Sequence, residues 1–194
     1  PRRVPRRRLM AGLPEAFKEA MASLLGDAGW RLDASERLTY GYDNSRRFAQ
    51  PDAVALPRDA AQVQALVQDC RAHGVPVVAR GRGTNTTGAA VPVAGGVVVS
   101  FERMDHVLDV RPGDRCTVVQ PGVLNGDLQR ELAPHGLFWP PDPTSADYST
   151  VGGNLACNAG GPRAVKYGAS RDNVLALVAL LTGRTLTGIR LHSD

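Results

Sequence analysis

Two glycine-rich segments of this sequence have the composition of phosphate-binding loops. The first runs from Arg80 to Gly88 and follows the strand-like residues 75–79. The second, from Thr150 to Gly161, consists almost entirely of small residues with two asparagines. Backbone N–H groups freed from strand pairing can converge on an anion, and glycine lets the backbone approach a ligand closely. Together the segments predict a long ligand that carries phosphates and a ring.

The first loop matches neither of two common nucleotide-binding motifs. The G-x-G-x-x-G fingerprint fits Gly81 and Gly83, but its third glycine falls on Thr86 and no helix opens after it. The Walker pattern fits Gly83 and Gly88, but alanines follow where Lys and Ser or Thr are required. One glycine loop alone is as consistent with a structural turn as with a binding site. The second loop favours binding.

Several side chains around the loops have two interpretations. Asn154 and Asn158 either face a ligand or cap backbone groups, and Asp142, between two prolines, either binds or caps a turn. Arg80 and Arg82 are either solvated charges or partners of a phosphate.

For four further residues, packing is the alternative to binding, and the sequence favours packing for two of them. Lys166 and Tyr167 either face a ligand or pack. Trp139 is interpreted as a core residue rather than a stacking platform. Cys157, among glycine and alanine neighbours, is interpreted as a small packing residue.

Composition and charge exclude several classes of protein. The chain has 194 residues, 43% hydrophobic and 22% charged, which is typical of one globular domain or two small ones. It has no apolar run of the roughly 18 residues that a membrane span needs. Residues 1–8 hold five arginines and no acid, so the remaining chain carries −1 of the net +4. That distribution argues against nucleic-acid binding.

Cysteine and histidine spacing predicts neither a disulfide framework nor a metal site. The three cysteines are far apart, and the four histidines form no HExxH or HxH motif. Free thiols fit a reducing cytoplasm, with a peripheral position on the inner face of the membrane as the alternative. Residues 1–12 are predicted to be a basic, disordered tail. Because the chain begins at Pro1, we expect either a natural start at Met10 or a missing upstream stretch.

Hydrophobic periodicity gives the elements that position the loops. It predicts a helix over 14–27, and Asp59 with Gln62 predicts a capping box for a helix that Gly74 ends. An irregular connection is predicted over 35–53. Strands are predicted at 54–56, 75–79, 96–101, 106–111 and 116–120. A helix is predicted at 124–133, and a β-hairpin is predicted in which 174–181 pairs with 186–191. This irregular mixture indicates an α+β fold rather than a doubly wound sheet.

The sequence resembles the FAD-binding domain of the p-cresol methylhydroxylase and vanillyl-alcohol oxidase superfamily. The resemblance covers about residues 40–190 and lies in the segments RGRGTNTTGAAVP, VQPGV, PPDPTSADYSTVGGNLACNAGG, KYG and RDNVLAL. Within the superfamily, the sequence is most similar to FAD-linked 2-hydroxy-acid dehydrogenases, such as glycolate oxidase flavin subunits and D-lactate dehydrogenases. The resemblance implies a two-subdomain FAD-binding fold, truncated before the cap domain. The expected segments are 1–12 (tail), 13–53 (helix and connection), 54–111 (first subdomain) and 112–194 (second subdomain, incomplete).

The resemblance also implies which residues bind FAD. The first loop corresponds to the family's pyrophosphate loop, and the second region to the stretch along the flavin ring and ribityl chain. Relatives with covalent flavin usually carry a histidine in the first loop, where this chain has Thr84 and Asn85, so FAD is expected to be non-covalent. The implied cofactor residues are Gly81, Arg82, Gly83, Thr84, Asn85, Thr86, Gly88, Pro141, Asp142, Ser145, Gly152, Gly153, Asn154, Ala156, Asn158, Gly160 and Gly161.

The implied function is oxidation of a 2-hydroxy acid of the lactate, glycolate or 2-hydroxyglutarate type by hydride transfer to flavin. In relatives, a cap domain supplies the substrate arginines, the histidine base and often a metal. No catalytic residue or metal ligand can be assigned here, so the fragment alone is expected to be inactive. The alternatives are another substrate class on the same fold (a sugar or alcohol oxidase, or an alkyl transferase) and a non-catalytic FAD-binding subunit. Expected partners are the small substrate, an electron-acceptor protein or quinone, and a second copy of the chain.

Overall fold

The computed structural model describes residues 12–181 and 184–190, with side chains through residue 179. No helix in this part of the chain is long and apolar enough to cross a membrane. The helices are α1 (Glu15–Leu25), α2 (Ala34–Leu38), α3 (Ala60–Ala72), α4 (Asn125–Leu132), α5 (Val151–Ala156) and α6 (Ala164–Tyr167). The strands are β1 (Trp30–Arg31), β2 (Ala53–Ala55), β3 (Val77–Arg80), β4 (Val97–Ser100), β5 (Val107–Arg111), β6 (Cys116–Val119), β7 (Ala176–Leu181) and β8 (Arg184–Arg190).

A four-stranded sheet in the order β1-β2-β4-β3 holds the first glycine loop. Strands β2 and β3 both run parallel to β4, with Val54 and Val78 on either side of Val98. Helix α3 connects β2 to β3, and β4 inserts between them later in the chain. Every residue of β2 and β4 is buried, as expected for central parallel strands. The sequence predicted β2, β3 and β4 but neither β1 nor the parallel order of the sheet.

The two faces of this sheet are packed differently. On one face, α1 and α3 bury Phe17, Met21 and Leu66 against alternate residues of β2 and β4. On the other face, Val54 and Val98 form a smaller cluster with Leu56, beside the half-buried Tyr40 and Val78. The alternation follows from the two-residue period of a strand.

Both predicted N-terminal helices are confirmed, with small shifts at their ends. Helix α3 begins after Asp59, whose carboxylate accepts from Gln62 N–H at 2.8 Å. The Gln62 side chain accepts from Arg58 N–H rather than from the cap residue, so the capping box is displaced by one position. Gly74 follows the helix with a φ of +66°, the left-handed conformation that glycine favours.

The second half of the fold packs around a separate apolar cluster. Strands β5 and β6 form an antiparallel pair, and α4 lies against the start of α5 through Val123, Leu128, Leu132 and Val151. Strands β7 and β8 form the predicted hairpin. Three parts of the predictions lie outside the described residues: residues 182–183 between the two strands of the hairpin, Leu191 at the predicted end of the second strand, and residues 1–11 of the predicted tail.

Three short helices lie where the sequence suggested irregular chain. Helix α2 overlaps the start of the predicted 35–53 connection and is capped by Asp33, which accepts from two N–H groups. Helices α5 and α6 lie within and after the second glycine-rich segment. The loop interpretation of residues 150–161 is therefore wrong for α5, which forms although two of its residues are glycines, the residue type that disfavours helices.

Candidate functional site

A cleft of about 610 Å³ is lined by the first glycine loop and by the region around α5. Its volume falls within the roughly 300–1,000 Å³ typical of small-molecule sites. The structure brings together these predicted site residues in its lining: Gly81, Arg82, Gly83, Thr84, Asn85, Thr86, Ser145, Gly152, Gly153, Asn154 and Ala156.

The remaining predicted site residues do not line this cleft: Gly88, Pro141, Asp142, Asn158, Gly160 and Gly161. The cleft also includes residues that the sequence analysis did not assign: Ala79, Thr87, Ala89, Ala90, Phe101, Pro121, Thr150 and Ala159. Most of these belong to the family-like segments RGRGTNTTGAAVP, VQPGV and STVGGN, so position within those segments was the available signal.

The backbone of the first loop has unused hydrogen-bond donors. Among the described residues, the N–H groups from Gly81 to Thr86 donate to no protein acceptor. They follow the end of β3, where sheet pairing stops. Since unpaired backbone donors are costly away from water or a ligand, six of them beside one cleft indicate an anion site.

Residues before β2 hold the first loop in place. Asn44 donates from its backbone to Asn85 O at 3.0 Å and from its side chain to Thr84 O at 3.3 Å. Asp43, buried at 4% exposure, accepts from Ala90 N–H at 3.3 Å. Sequence reasoning assigned no role to this segment because it lacks periodicity.

Asp43 supports the first loop in its ionised, carboxylate form. Burial acts to raise its pKa, but hydrogen bonds from Ser45, from the Ala90 N–H and from Asn85 outweigh burial and lower the pKa. Asp43 is therefore held as an anion whose hydrogen bonds tie the 43–45 turn to the loop.

The Asn85 side chain shapes the loop from within. Its Oδ1 accepts from Thr87 N–H at 3.1 Å, from the Thr87 hydroxyl at 2.9 Å and from Ala89 N–H at 3.4 Å. This is the Asx-turn pattern, in which a side chain replaces a backbone acceptor. That oxygen is thus occupied by the loop.

Arg80, whose two interpretations were a solvated charge or a phosphate partner, is buried. It is 7% exposed, ends β3 and lines the cleft. Its guanidinium donates to Tyr42 O at 2.5 Å and lies over the Tyr40 and Tyr42 rings at 5.8 and 5.7 Å. Burial, first, and the hydrogen bond to Glu102 raise the pKa of Tyr40 to about 12. Arg82, by contrast, is exposed.

The two glycine-rich regions meet at Gly81 and Thr150. A Cβ on Gly81 would collide with the Thr150 hydroxyl oxygen. That oxygen caps α5 by accepting from Gly153 N–H at 3.1 Å. Close approach, rather than an unusual φ, is what requires glycine at position 81.

The N–H groups in the first turn of α5 are already satisfied. Val151 donates to Val123 O at 2.8 Å, and Gly152 donates to Pro121 O at 2.9 Å. A Cβ on Gly152 would lie 2.6 Å from Pro121 Cβ, so glycine here permits close packing. The start of this helix therefore offers the cleft a surface of small residues and no free donor.

A buried amide network fixes the chain beside α5. Asn125, which is fully buried, accepts on Oδ1 from Trp139 Nε1 at 3.1 Å and from Asn154 Nδ2 at 3.0 Å. Its Nδ2 donates to Pro141 O at 3.2 Å. Sequence reasoning missed Asn125. Asn154, a predicted cofactor residue, lines the cleft and is bonded to Asn125. Trp139 packs in the core as predicted, against the α4 cluster.

The end of the second region packs against the proline-rich segment. Asp142 N–H donates to Gly160 O at 2.8 Å, and its carboxylate pairs with Arg163 at 3.4 Å. Gly161 has a φ of +109°, and a Cβ there would collide with Asp142 O. Asn158, also left-handed at φ +48°, accepts from Arg171 N–H at 3.1 Å.

Other side chains singled out from the sequence lie as follows. Cys157 is exposed and lines the cleft, so its interpretation as a packing residue is wrong. Lys166 lies 4.9 Å over the Tyr167 ring, and neither residue lines the cleft. Of the described histidines, none lines it either. Among the residues placed by the structure, no three His, Cys, Asp or Glu groups form a metal cluster.

Residues 51–187 match the model of the FAD binding domain family. The chain belongs to this family, and FAD is its cofactor. The predicted family and cofactor are confirmed.

Curated relatives match most of the chain. Glycolate oxidase subunit GlcD of Bacillus subtilis is 38% identical over 180 residues, covering 91% of this chain and 38% of the relative. D-2-hydroxyglutarate dehydrogenase of Stutzerimonas stutzeri is 40% identical, covering 78% and 33%. D-lactate dehydrogenase of Anaerostipes hadrus is 39% identical, covering 86% and 34%. The chain thus spans between 33% and 38% of their length.

Solved structures confirm the predicted fold. An alkyldihydroxyacetonephosphate synthase superposes with a TM-score of 0.84 and 26% identity, over 90% of this chain and 38% of that one. A p-cresol methylhydroxylase superposes with a TM-score of 0.65 and 23% identity, over 74% and 29%.

The observed cleft fits FAD. A diphosphate needs several hydrogen-bond donors, and the first loop lines the cleft with six N–H groups that have no protein acceptor among the described residues. A flat ring needs close approach to the backbone, and Gly152, Gly153 and Ala156 leave that space. The first loop would hold the diphosphate, and the α5 region would lie along the ring.

Proposed function

We propose that this chain is the FAD-binding part of an oxidoreductase that oxidises a 2-hydroxy acid of the lactate, glycolate or 2-hydroxyglutarate type. The run of free N–H groups on the cleft is the observation that carries the cofactor assignment. The substrate class rests on the three relatives, each named for a hydroxy acid of that type.

The residues of this chain bind and orient rather than transfer protons. The N–H groups from Gly81 to Thr86 would hold the diphosphate, and Ser145 and Asn154, which line the same cleft, would lie along the ring or its ribityl chain. FAD, when bound, accepts the hydride of the alcohol carbon. No described histidine lines the cleft. We infer that the proton acceptor lies outside the described residues.

FAD is held without a covalent bond in this proposal. The first loop has no histidine between Arg80 and Gly88. Acid or heat precipitation of the yellow full-length protein should release FAD into the supernatant. Flavin that stays with the pellet would contradict the non-covalent attachment while leaving the cofactor assignment intact.

Anaerobic reduction tests the substrate class. The full-length protein should lose its flavin absorbance on addition of D-lactate, glycolate or D-2-hydroxyglutarate, and these residues alone should not. Bleaching by none of the three would contradict the hydroxy-acid assignment. Equal bleaching by the fragment would place the proton acceptor within it, and His106, His135 and Lys166 would be the first variants to test.

A second candidate is an alkyl transferase on the same fold. It is favoured by the superposition with alkyldihydroxyacetonephosphate synthase over 90% of this chain. It predicts a bound flavin that none of the hydroxy acids bleaches. A sugar or alcohol oxidase, and a non-catalytic FAD subunit, predict the same result and are separated by bleaching with their own substrates or with none.

We also propose the wider organisation. Four features stay predictions. They are the division into segments 1–12, 13–53, 54–111 and 112–194, an electron-acceptor protein or quinone as partner, self-association, and a cytoplasmic or peripheral membrane position. Mass measurement of the native protein in solution tests its ends and its self-association together.

A further inference from the structure

Arg80 is a buried cation on which carboxylates act only from beyond ion-pair distance. Asp43 and Glu102 both act to raise its pKa, although burial lowers the pKa on balance. Among the described residues, its guanidinium forms no ion pair within 4.0 Å. Its hydrogen-bond acceptors are two backbone carbonyls, Tyr42 O at 2.5 Å and Thr39 O at 3.5 Å. Two tyrosine rings flank it. Carbonyls and ring faces attract the charge but do not cancel it.

The guanidinium lies directly against the first loop. A Cβ added to Gly83 would be 2.5, 2.6 and 2.7 Å from Nη2, Nη1 and Cζ of Arg80. These nearly equal distances place the guanidinium where the side chain of residue 83 would be. The charge is therefore in contact with the backbone whose N–H groups are free.

This arrangement is costly unless an anion comes near. Removing a charge from water without a partner is unfavourable, and burial lowers the pKa of Arg80. Arg80 still lines the cleft, so an anion bound by the loop would share its environment. In a poorly solvated setting, an interaction over a few ångströms is screened little.

We propose that Arg80 is a positioning residue whose buried charge backs the first loop, and that the diphosphate of the bound dinucleotide adds to the counter-charge that Asp43 and Glu102 supply from a distance. The inference rests on the proposed FAD site. It divides the positive groups of the loop into two kinds: N–H groups that contact the phosphate oxygens, and a guanidinium behind them that acts through the loop.

Ligand affinity separates this role from a merely structural one. FAD carries the diphosphate and riboflavin does not, so dissociation constants for both are measured by fluorescence with the full-length apoprotein. Loss of a charged partner predicts that R80M weakens FAD binding about 10- to 100-fold and riboflavin binding less than about twofold. R80K, which keeps the charge, should stay within about fivefold of wild type for FAD.

Arg103 provides the matched control. It also donates from a half-buried guanidinium to a backbone carbonyl, Leu56 O at 3.3 Å, and lies beside a glycine, Gly29. It does not line the cleft. R103M should leave both dissociation constants unchanged.

Each result decides the question. Unchanged FAD affinity in R80M, or an equal loss for FAD and riboflavin, would overturn the inference. If R80M does not fold, R80K and R80Q replace it, and R80K must bind FAD at least about tenfold more tightly than R80Q. If the wild-type protein binds riboflavin as tightly as FAD, the inference is overturned and the proposed function stands. If it binds neither flavin, the proposed function is overturned.

Discussion

Between Gly81 and Thr86 the backbone N–H groups donate to no described acceptor, whereas every N–H at the start of α5 has one. Both regions are rich in glycine and line the same cleft. In the first, Gly83 has a φ of +68° and contacts a guanidinium. In the second, Gly152 is helical and contacts a proline.

The difference teaches that similar glycine content serves two physical purposes. In the first loop it frees donors and permits left-handed backbone, so substitutions there should act on FAD binding. In the second region glycine also removes side-chain volume where the chain packs on itself, at Gly152 and Gly161, so substitutions at such packed positions should act on folding stability. Four predictions can break or sharpen this division.

The largest effect is expected for Gly83→Val. Valine at positive φ is strained and would displace the Arg80 guanidinium. We expect the two effects together to weaken FAD binding by about 4 kcal/mol, which raises the FAD dissociation constant roughly 1,000-fold. Flavin fluorescence titration measures it. Gly136→Val is the control, because Gly136 has the same φ, +67°, and open space around its Cβ. Equal FAD loss in both variants would refute a specific role for the first loop.

Asn125→Leu should lower the free energy of unfolding by about 3 kcal/mol, since it leaves the Trp139 and Asn154 donors and one carbonyl without partners. Urea denaturation measures this. Trp139→Phe removes one bond of the same network and should cost less. FAD affinity of the folded variant should change under about tenfold. A variant as stable as wild type, with FAD binding lost, would reverse the assignment of this region.

Gly161→Ala should cost about 2 kcal/mol of stability, because the added Cβ meets the Asp142 carbonyl at a φ of +109°. Thermal unfolding of the apoprotein provides the measurement. Gly74→Ala is the control, with a φ of +66° and nothing near its Cβ, and should cost about 1 kcal/mol. No difference between the two would show that the contact with Asp142 yields easily.

The smallest effect is a pH dependence at Asp43. Its pKa is lowered in the folded state, so its contribution to stability is present above the ordinary carboxyl pKa and is lost as pH falls through the lowered value. Asp43→Asn should cost about 1 kcal/mol near pH 7 and less near pH 3 in urea denaturation. Asp114→Asn, on an exposed carboxylate, should cost nothing at either pH. If Asp43→Asn lowers the free energy of unfolding equally at both pH values, titration of Asp43 is not the cause of the loss.

Local pattern predicted the elements with strong local signals. Helices α1 and α3 follow from apolar spacing and from the Asp59 cap, and the first loop follows from glycines after a strand. Asp33 with Glu36, a comparable cap signal, would have predicted α2.

Features that depend on distant contacts could not be predicted in the same way. The parallel order of the sheet needs β4 to insert between two strands that precede it. Helix α5 forms although two of its six residues are glycine, because Thr150 caps it and Pro121 packs against it. The partners of Arg80 and Asn125 lie many residues away, so residue type alone did not reveal their burial.

The support of the first loop by Asp43 and Asn44 has a consequence for transplanting this domain. The family match begins at residue 51, and both supporting residues precede it. A chimera that grafts only residues 51–187 into another oxidoreductase would carry the loop sequence without the hydrogen bonds that set its shape, and without the carbonyls that hold Arg80. The portable unit for exchanging FAD modules between enzymes therefore begins upstream of Thr39.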